Sequence, residues 1–242
     1  MNRSLLAAAI FLVTSGFAAD PTSAGDAALA KFDLDAAIHD YRLALQEQPN
    51  NYEATWKLCR GLLDRGTLTK DRDAQKPLFV EGERLARRAV ALNPIDSKGH
   101  LYLSIAVGKL ALFEGGKRQV ELSKEVKTEA EQALTLNDKE ALAYLVVGIW
   151  NREMVDLNWI LKKFAEMFYG KFPAASLAEA EKNLQHAIAL APTVVANQVE
   201  LGLTYRVAGM TAEARRCFVT ALKMPQTWVT DDYYKAIARR YD

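Results

Sequence analysis

Apolar and small residues recur at intervals of three and four along most of this chain, the period of a helix with one buried face. No stretch alternates as a strand would. Gly25 and Ala28 open a short first helix, and Ala37, Tyr41 and Ala44 mark a second that closes at Pro49. Tyr52, Trp56, Leu58, Cys59 and Leu62 predict a helix stopping near Gly66; Gly82, Leu85, Ala86 and Ala89 predict its partner, ending at Asn93-Pro94. A third pair carries Leu101, Leu103, Ser104 and Val107, then Val126, Ala130, Ala133 and Leu134. A fourth carries Tyr144, Val147 and Gly148, then Ala180, Leu184, Ala187 and Ile188, stopping at Ala191-Pro192. Two stretches interrupt the rhythm. Thr67–Pro77, charged and rich in turn formers, reads as an exposed loop, and Met154–Pro173 reads as an insertion inside the fourth pair. The chain closes with a helix over Thr230–Tyr241, with Thr230 as N-cap ahead of Asp231 and Asp232.

The most regular segment is Val195–Pro225, VANQVELGLTYRVAGMTAEARRCFVTALKMP. Gly202 and Ala214 are small where two helices of a hairpin must approach, and Tyr205, Phe218 and Leu222 fill the space around that contact. Gly209 sits where the turn needs a residue at ease with positive φ. In these offsets the segment resembles a tetratricopeptide (TPR) repeat, a helical hairpin of about 34 residues. The resemblance implies an all-α, TPR-like α-solenoid of five units over 19–51, 52–94, 95–138, 139–192 and 193–225. The fourth unit would hold an extra inserted helix, and a capping helix over 228–241 would cover the last hydrophobic face.

Composition adds the setting. Arg3 precedes an apolar run, Leu5–Val13, with no acid before Asp20, and Gly16-Phe17-Ala18 offers small residues where a signal peptidase reads. Residues 1–18 are therefore expected to be a cleaved signal peptide, placing the protein outside the cytoplasm, in a periplasm. The alternative is an uncleaved N-terminal membrane anchor, for which Leu5–Phe17 is short against the roughly 20 residues of a spanning helix. The only cysteines, Cys59 and Cys217, fall in distant units, too far apart for a disulfide, and are expected as small buried residues. The balance of 31 Lys and Arg against 30 Asp and Glu shows no basic field, so no nucleic-acid partner is expected.

Two central stretches carry a narrower likeness. Residues 98–118 read KGHLYLSIAVGKLALFEGGKR, and 141–181 contain Gly148, Trp150, Leu157, Asn158, Trp159, Lys162, Lys163 and Pro173 in sequence. These resemble the TPR domain of the regulator of microtubule dynamics family, over roughly residues 80–240. The resemblance implies a binding domain. Eukaryotic members are membrane-associated and linked to microtubules, and one branch is linked to organelle contact sites and phospholipid binding. An exported protein meets no microtubule, so that role is not expected here.

In TPR proteins the first helix of each unit lines the concave surface. Removing the residues that hold each hairpin together leaves Trp56, Arg60 and Leu63 in the second unit and Leu101, Tyr102 and Ile105 in the third. It leaves Leu145, Val146, Ile149 and Arg152 in the fourth, and Val199, Leu203 and Arg206 in the fifth. Nine of these, Trp56, Leu101, Tyr102, Ile105, Leu145, Val146, Ile149, Val199 and Leu203, form a candidate groove for a partner or ligand. It is too apolar for the Lys and Asn clamp that holds acidic peptide C-termini in some TPR proteins. Burying each large apolar side chain is worth about 1.5–3 kcal/mol, so something is expected to cover the stripe. Three occupants are open: the insert itself, through Trp159, Ile160, Phe164, Met167 and Phe168; an acyl chain or other apolar molecule; and a partner helix. Lys162, Lys163 and Lys171 also permit the insert to lie on an anionic membrane.

No catalytic constellation is found. His39, His100 and His186 fall in separate units without metal-ligand spacing, and no phosphate loop or nucleophile elbow occurs. Glu121, Lys124, Glu125, Lys127 and Glu129 read as a solvated helix face. The sequence thus predicts a non-catalytic scaffold for protein–protein interaction in the cell envelope, with no cofactor. The alternative is a binder of lipid or another apolar ligand.

Overall fold

The computed structural model describes residues 21–157, 163, 166 and 175–242. The signal peptide expected at 1–18 and the inserted helix expected in the fourth unit, with Trp159, Ile160, Phe164, Met167 and Phe168, lie outside the described residues.

The described chain is built from helices that pair in order. Helices α1 (Pro21–Leu29) and α2 (Leu34–Glu47) form the first hairpin, α3 (Tyr52–Leu68) and α4 (Arg72–Leu92) the second, α5 (Ser97–Ala111) and α6 (Gly116–Leu136) the third. Then come α7 (Ala141–Asp156) with α8 (Leu177–Leu190), α9 (Val195–Val207) with α10 (Thr211–Lys223), and a terminal α11 (Asp231–Ala238). Each first helix packs on its own partner and on the preceding unit, the contact pattern of an all-α TPR-like solenoid.

Local chemistry sets the helix starts. The side chains of Asp33, Asn51, Asp96 and Ser176 each accept a backbone N–H in the first turn of the helix that follows, at 2.8–3.1 Å. Gly209, at φ 75°, turns α9 into α10. Close approach sets the hairpin geometry. A Cβ on Gly202 would lie 2.6 Å from Cε1 of Phe218, and one on Gly148 would lie 2.6 Å from Cγ of Leu184. Phe218 and Leu184 are themselves fully buried. The core runs as one large cluster through the first four units, followed by one centred on Leu145, Leu184 and Leu201 and one on Val195, Val199 and Phe218.

Two expectations are corrected, and a third, Thr230 as N-cap, holds in position but not in its bond. Thr67–Pro77 is not a loop: α3 runs to Leu68, and α4 begins at Arg72 with Pro77 inside it. Proline removes one helical hydrogen bond, but the Asp71 side chain caps Asp73 N–H and Phe79 buries itself against the end of α3, which outweighs that loss. Thr230 sits at the N-cap of α11 without a side-chain capping bond. The Asp231 carboxylate instead accepts the backbone N–H groups of Thr227 and Trp228, at 2.7 and 2.8 Å. The α6 face is not simply solvated. Glu125 pairs with Arg87 of α4 at 2.7 Å, Glu129 meets His100 Nδ1 of α5 at 2.6 Å, and Lys127 lies 4.7 Å from the Trp150 ring of α7.

Candidate functional site

The inner helices enclose a cavity of about 670 Å³, within the size range of ligand pockets. Because α3 packs on α5, α5 on α7 and α7 on α9, each inner helix turns part of one face toward the same space. Its apolar wall comes from the middle of that arc, with Ile105 of α5 and Leu142, Leu145, Val146 and Ile149 of α7. The segment between α10 and α11 continues the lining with Thr227, Trp228 and Thr230. Trp228 then reaches back to the second unit: its indole N–H donates to Asp64 Oδ2 at 3.0 Å, across 164 positions of sequence.

A belt of polar and charged groups crosses this wall. Arg60 and Asp64 come from α3, Lys109 from α5, Arg152 from α7, and Asn197 and Glu200 from α9. Arg152 and Glu200 are both nearly buried and form a direct pair, Nη1 to Oε2 at 2.7 Å, with a second bond from Nη1 to the Glu200 carbonyl at 3.1 Å. Burial pulls the Arg152 pKa down; Glu200 and Glu153 outweigh it and leave it raised. Asp64 shows the opposite balance. Burial pushes its carboxyl up to about 6, against the pull of Arg60, the Trp228 indole and Lys109. The same burial lowers the Lys109 ammonium, with Glu200 and Asp64 acting against it. Among the described residues, two buried polar atoms of the wall, Arg60 Nε and Asn197 Oδ1, have no hydrogen-bond partner.

Aromatic groups extend the belt. Trp56 stacks on Tyr102 with centroids 5.6 Å apart and planes 6° from parallel. The Arg60 guanidinium lies 5.4 Å from the Trp56 ring and 4.9 Å from the Trp228 ring, within reach of both π faces.

The residues expected in the groove divide. Tyr102, Ile105, Leu145, Val146 and Ile149 line the cavity. Trp56 lies behind Tyr102, partly buried against the first core cluster. Leu101 and Val199, expected on the concave face, are instead fully buried in packed cores. Helix α5 presses on α3, α4, α6 and α7, which leaves Leu101 inside. Val199 and the half-buried Leu203 pack in the cluster that holds Tyr234, Ile237 and Ala238 of α11, so the cap covers what an interior unit would expose. Asp64, Lys109, Asn197, Glu200 and Trp228 escaped the sequence reading. For Asp64, Lys109 and Glu200 the one local signal is charge at inner-helix positions beside apolar neighbours, and charged helix residues are most often solvated; Asn197 and Trp228 carry no such signal.

The family model described as "Regulator of microtubule dynamics protein 1-3" matches residues 23–240. Regulator of microtubule dynamics protein 3 of Xenopus laevis is 27% identical over 183 residues, covering 75% of this chain and 40% of that protein. Protein 1 of Mus musculus is 26% identical over 168 residues, covering 68% of this chain and 55% of that protein. The chain therefore matches only about half, or less, of each of these relatives. Among solved structures, a thermophilic TPR protein of Thermus thermophilus superposes with a TM-score of 0.66 at 22% identity, covering 91% of this chain and 97% of that one. That likeness is one of fold.

Proposed function

This chain belongs to the Regulator of microtubule dynamics protein 1-3 family, and from that premise we propose that it is a TPR scaffold that works by binding a protein partner in the cell envelope, without catalysis. The observation that carries this reading is the succession of TPR-type hairpins among the described residues, an architecture whose extended surfaces serve recognition. The envelope setting rests on the leader-like sequence of residues 1–18. A microtubule partner, which the relatives' name carries, does not fit that setting. Photo-crosslinkers placed on exposed positions such as Val80 and Ile95 test the proposal in native cells. One specific partner, recovered reproducibly, supports it; crosslinks spread over abundant envelope proteins refute it. Intact mass of the mature protein tests the leader, with a chain beginning at Ala19 as the expected result.

A second reading is favoured by the cavity. Its size and its wall of Ile105, Leu142, Leu145, Val146 and Ile149 suit an apolar molecule such as a lipid chain. Native mass spectrometry of detergent-free protein, repeated after organic extraction, tests this. A stoichiometric hydrophobe supports it, and an apo mass from every preparation counts against it.

A further inference from the structure

The cavity wall passes from apolar to charged along two inner helices in contact. In α5, Ile105 is followed four residues later by Lys109; in α7, Leu145, Val146 and Ile149 are followed by Arg152. Residues four apart share one face of a helix, so Lys109 stands one turn beyond the apolar wall.

Most charges on this wall are already matched. Arg152 holds the buried Glu200 at 2.7 Å and the exposed Glu153 at 2.9 Å. Glu140 accepts from Lys98 at 2.7 Å, and Asp231 accepts the backbone N–H groups of Thr227 and Trp228. Three charges remain. Asp64 accepts only from the neutral Trp228 indole, at 3.0 Å. Arg60 rests against the rings of Trp56 and Trp228 and donates to the Tyr41 hydroxyl at 3.5 Å, while its buried Nε has no acceptor. Lys109 carries three N–H donors and, among the described residues, makes no hydrogen bond or ion pair. Burial pulls its ammonium down, and Glu200 and Asp64 oppose that pull without bonding to it. Two cations against one acid leave one positive charge unmatched.

We propose that the cavity takes a single-chain monocarboxylic acid, its carboxylate bonded to Lys109 and its hydrocarbon chain laid along Ile105 and the α7 wall. The proposal rests on the reading of the cavity as an apolar ligand site and adds the head group to it.

Charge selects the head group. One unmatched positive charge suits a monoanion, whose bonds to an ammonium are of the strong, charge-assisted kind. A phosphate monoester carries about −1.5 to −2 at neutral pH, and its second charge would meet Asp64 and Glu200, which already act on the same ammonium. Size selects the chain. At about 30 Å³ for each water-sized group, a cavity of about 670 Å³ holds about twenty such groups. That is room for one long chain with its carboxyl and too little for two. Lys109 also lies in the last turn of α5, where a cation relieves the helix dipole. That role alone asks for no acceptor in the cavity and predicts no preference between head groups.

Equilibrium dialysis of the delipidated full chain at pH 7.5, with radiolabelled tetradecanoic acid and 1-tetradecanol, reads the head group apart from the chain. The unsubstituted protein is expected to favour the acid by about tenfold or more, the value of one hydrogen bond to a charged group. Lys109→Met keeps a long apolar side chain and removes the ammonium, so the preference should be lost. Helical circular dichroism checks the fold of the variant, and the acid-to-alcohol ratio of the unsubstituted protein tests the proposal without it. Equal binding of both ligands by the unsubstituted protein, or a preference that persists in folded Lys109→Met, overturns the head-group assignment and leaves the apolar-ligand reading standing. Binding of neither ligand removes both.

Discussion

Replacing Gly202 by alanine should destabilise the fifth hairpin, although alanine is the better helix former. The new Cβ would lie 2.6 Å from Phe218 Cε1 and 2.9 Å from both Cδ1 and Cζ, where ordinary contact begins at 3.4 Å. Phe218 is 0% exposed, so the ring has no solvent to swing into. Either α9 and α10 separate by a good fraction of an ångström, or the ring leaves its rotamer. Overpacking of this kind costs about 1–3 kcal/mol, and a clash with one whole ring edge belongs in the upper half of that range. The gain in helix propensity returns about 0.8–1.0 kcal/mol. The net expectation is a loss of about 1–2 kcal/mol, read as a lower urea midpoint at unchanged m-value. Gly108→Ala is the matched control. Its Cβ would meet only Val126 Cγ2, at 3.6 Å, so propensity acts unopposed and the protein should gain up to about 1 kcal/mol. Gly202→Ala combined with Phe218→Leu should recover part of the loss through favourable coupling of about 0.5 kcal/mol or more. If Gly202→Ala is as stable as the parent, or moves in step with Gly108→Ala, close approach does not define this hairpin and the reasoning fails.

Glu200→Gln leaves Arg152 buried with only the more exposed Glu153 as its acidic partner and should cost about 3 kcal/mol in urea unfolding; a loss below about 1 kcal/mol would show that the pair is dispensable. Cys59 and Cys217 are both free and buried, and burial raises both thiols, that of Cys217 to about 11. Ellman's reagent at pH 8 should therefore find almost no thiol in the native protein and two after denaturation, and fast native labelling would contradict the packing. Leu145→Glu adds a carboxylate to the cavity wall and should abolish retention of an apolar ligand while helical circular dichroism is kept; unchanged retention would place the ligand elsewhere.

What could be read in advance follows from how local each feature is. The Gly202–Phe218 contact lies within one hairpin, so a fixed spacing announces it. The α3–α4 connection misled because Pro77 and a run of charges resemble a loop, while the burial of Phe79 that keeps this stretch helical depends on tertiary packing. The concave face was legible only in part. Helical period assigns Leu101 and Val199 to a side of their helix, but the neighbours pressed against that side come from the three-dimensional stack. The Asp64–Trp228 bond was out of reach, since nothing in either local sequence refers to the other. Charge was discounted for a sound reason, as most charged helix residues meet water. The wall of this cavity is an exception, with Arg152 and Glu200 meeting each other instead.

A linear stack of repeats unravels from both ends, because each terminal unit has a neighbour on one side only. In this chain the segment between α10 and α11 joins the last unit to the second, so α9, α10 and α11 are held through Trp228 as well as through their neighbour α8. The C-terminal hairpin, α9 with α10, is then expected to resist fraying as an interior one does. The contact of Trp228 with α3 spans one of the longest loops among those described, with a correspondingly high closure cost, so it belongs late in folding, after the repeats it spans are already in place. Cutting the chain before Trp228 would remove that tie and, with it, the α11 cover over Val199 and Leu203 of the fifth hairpin.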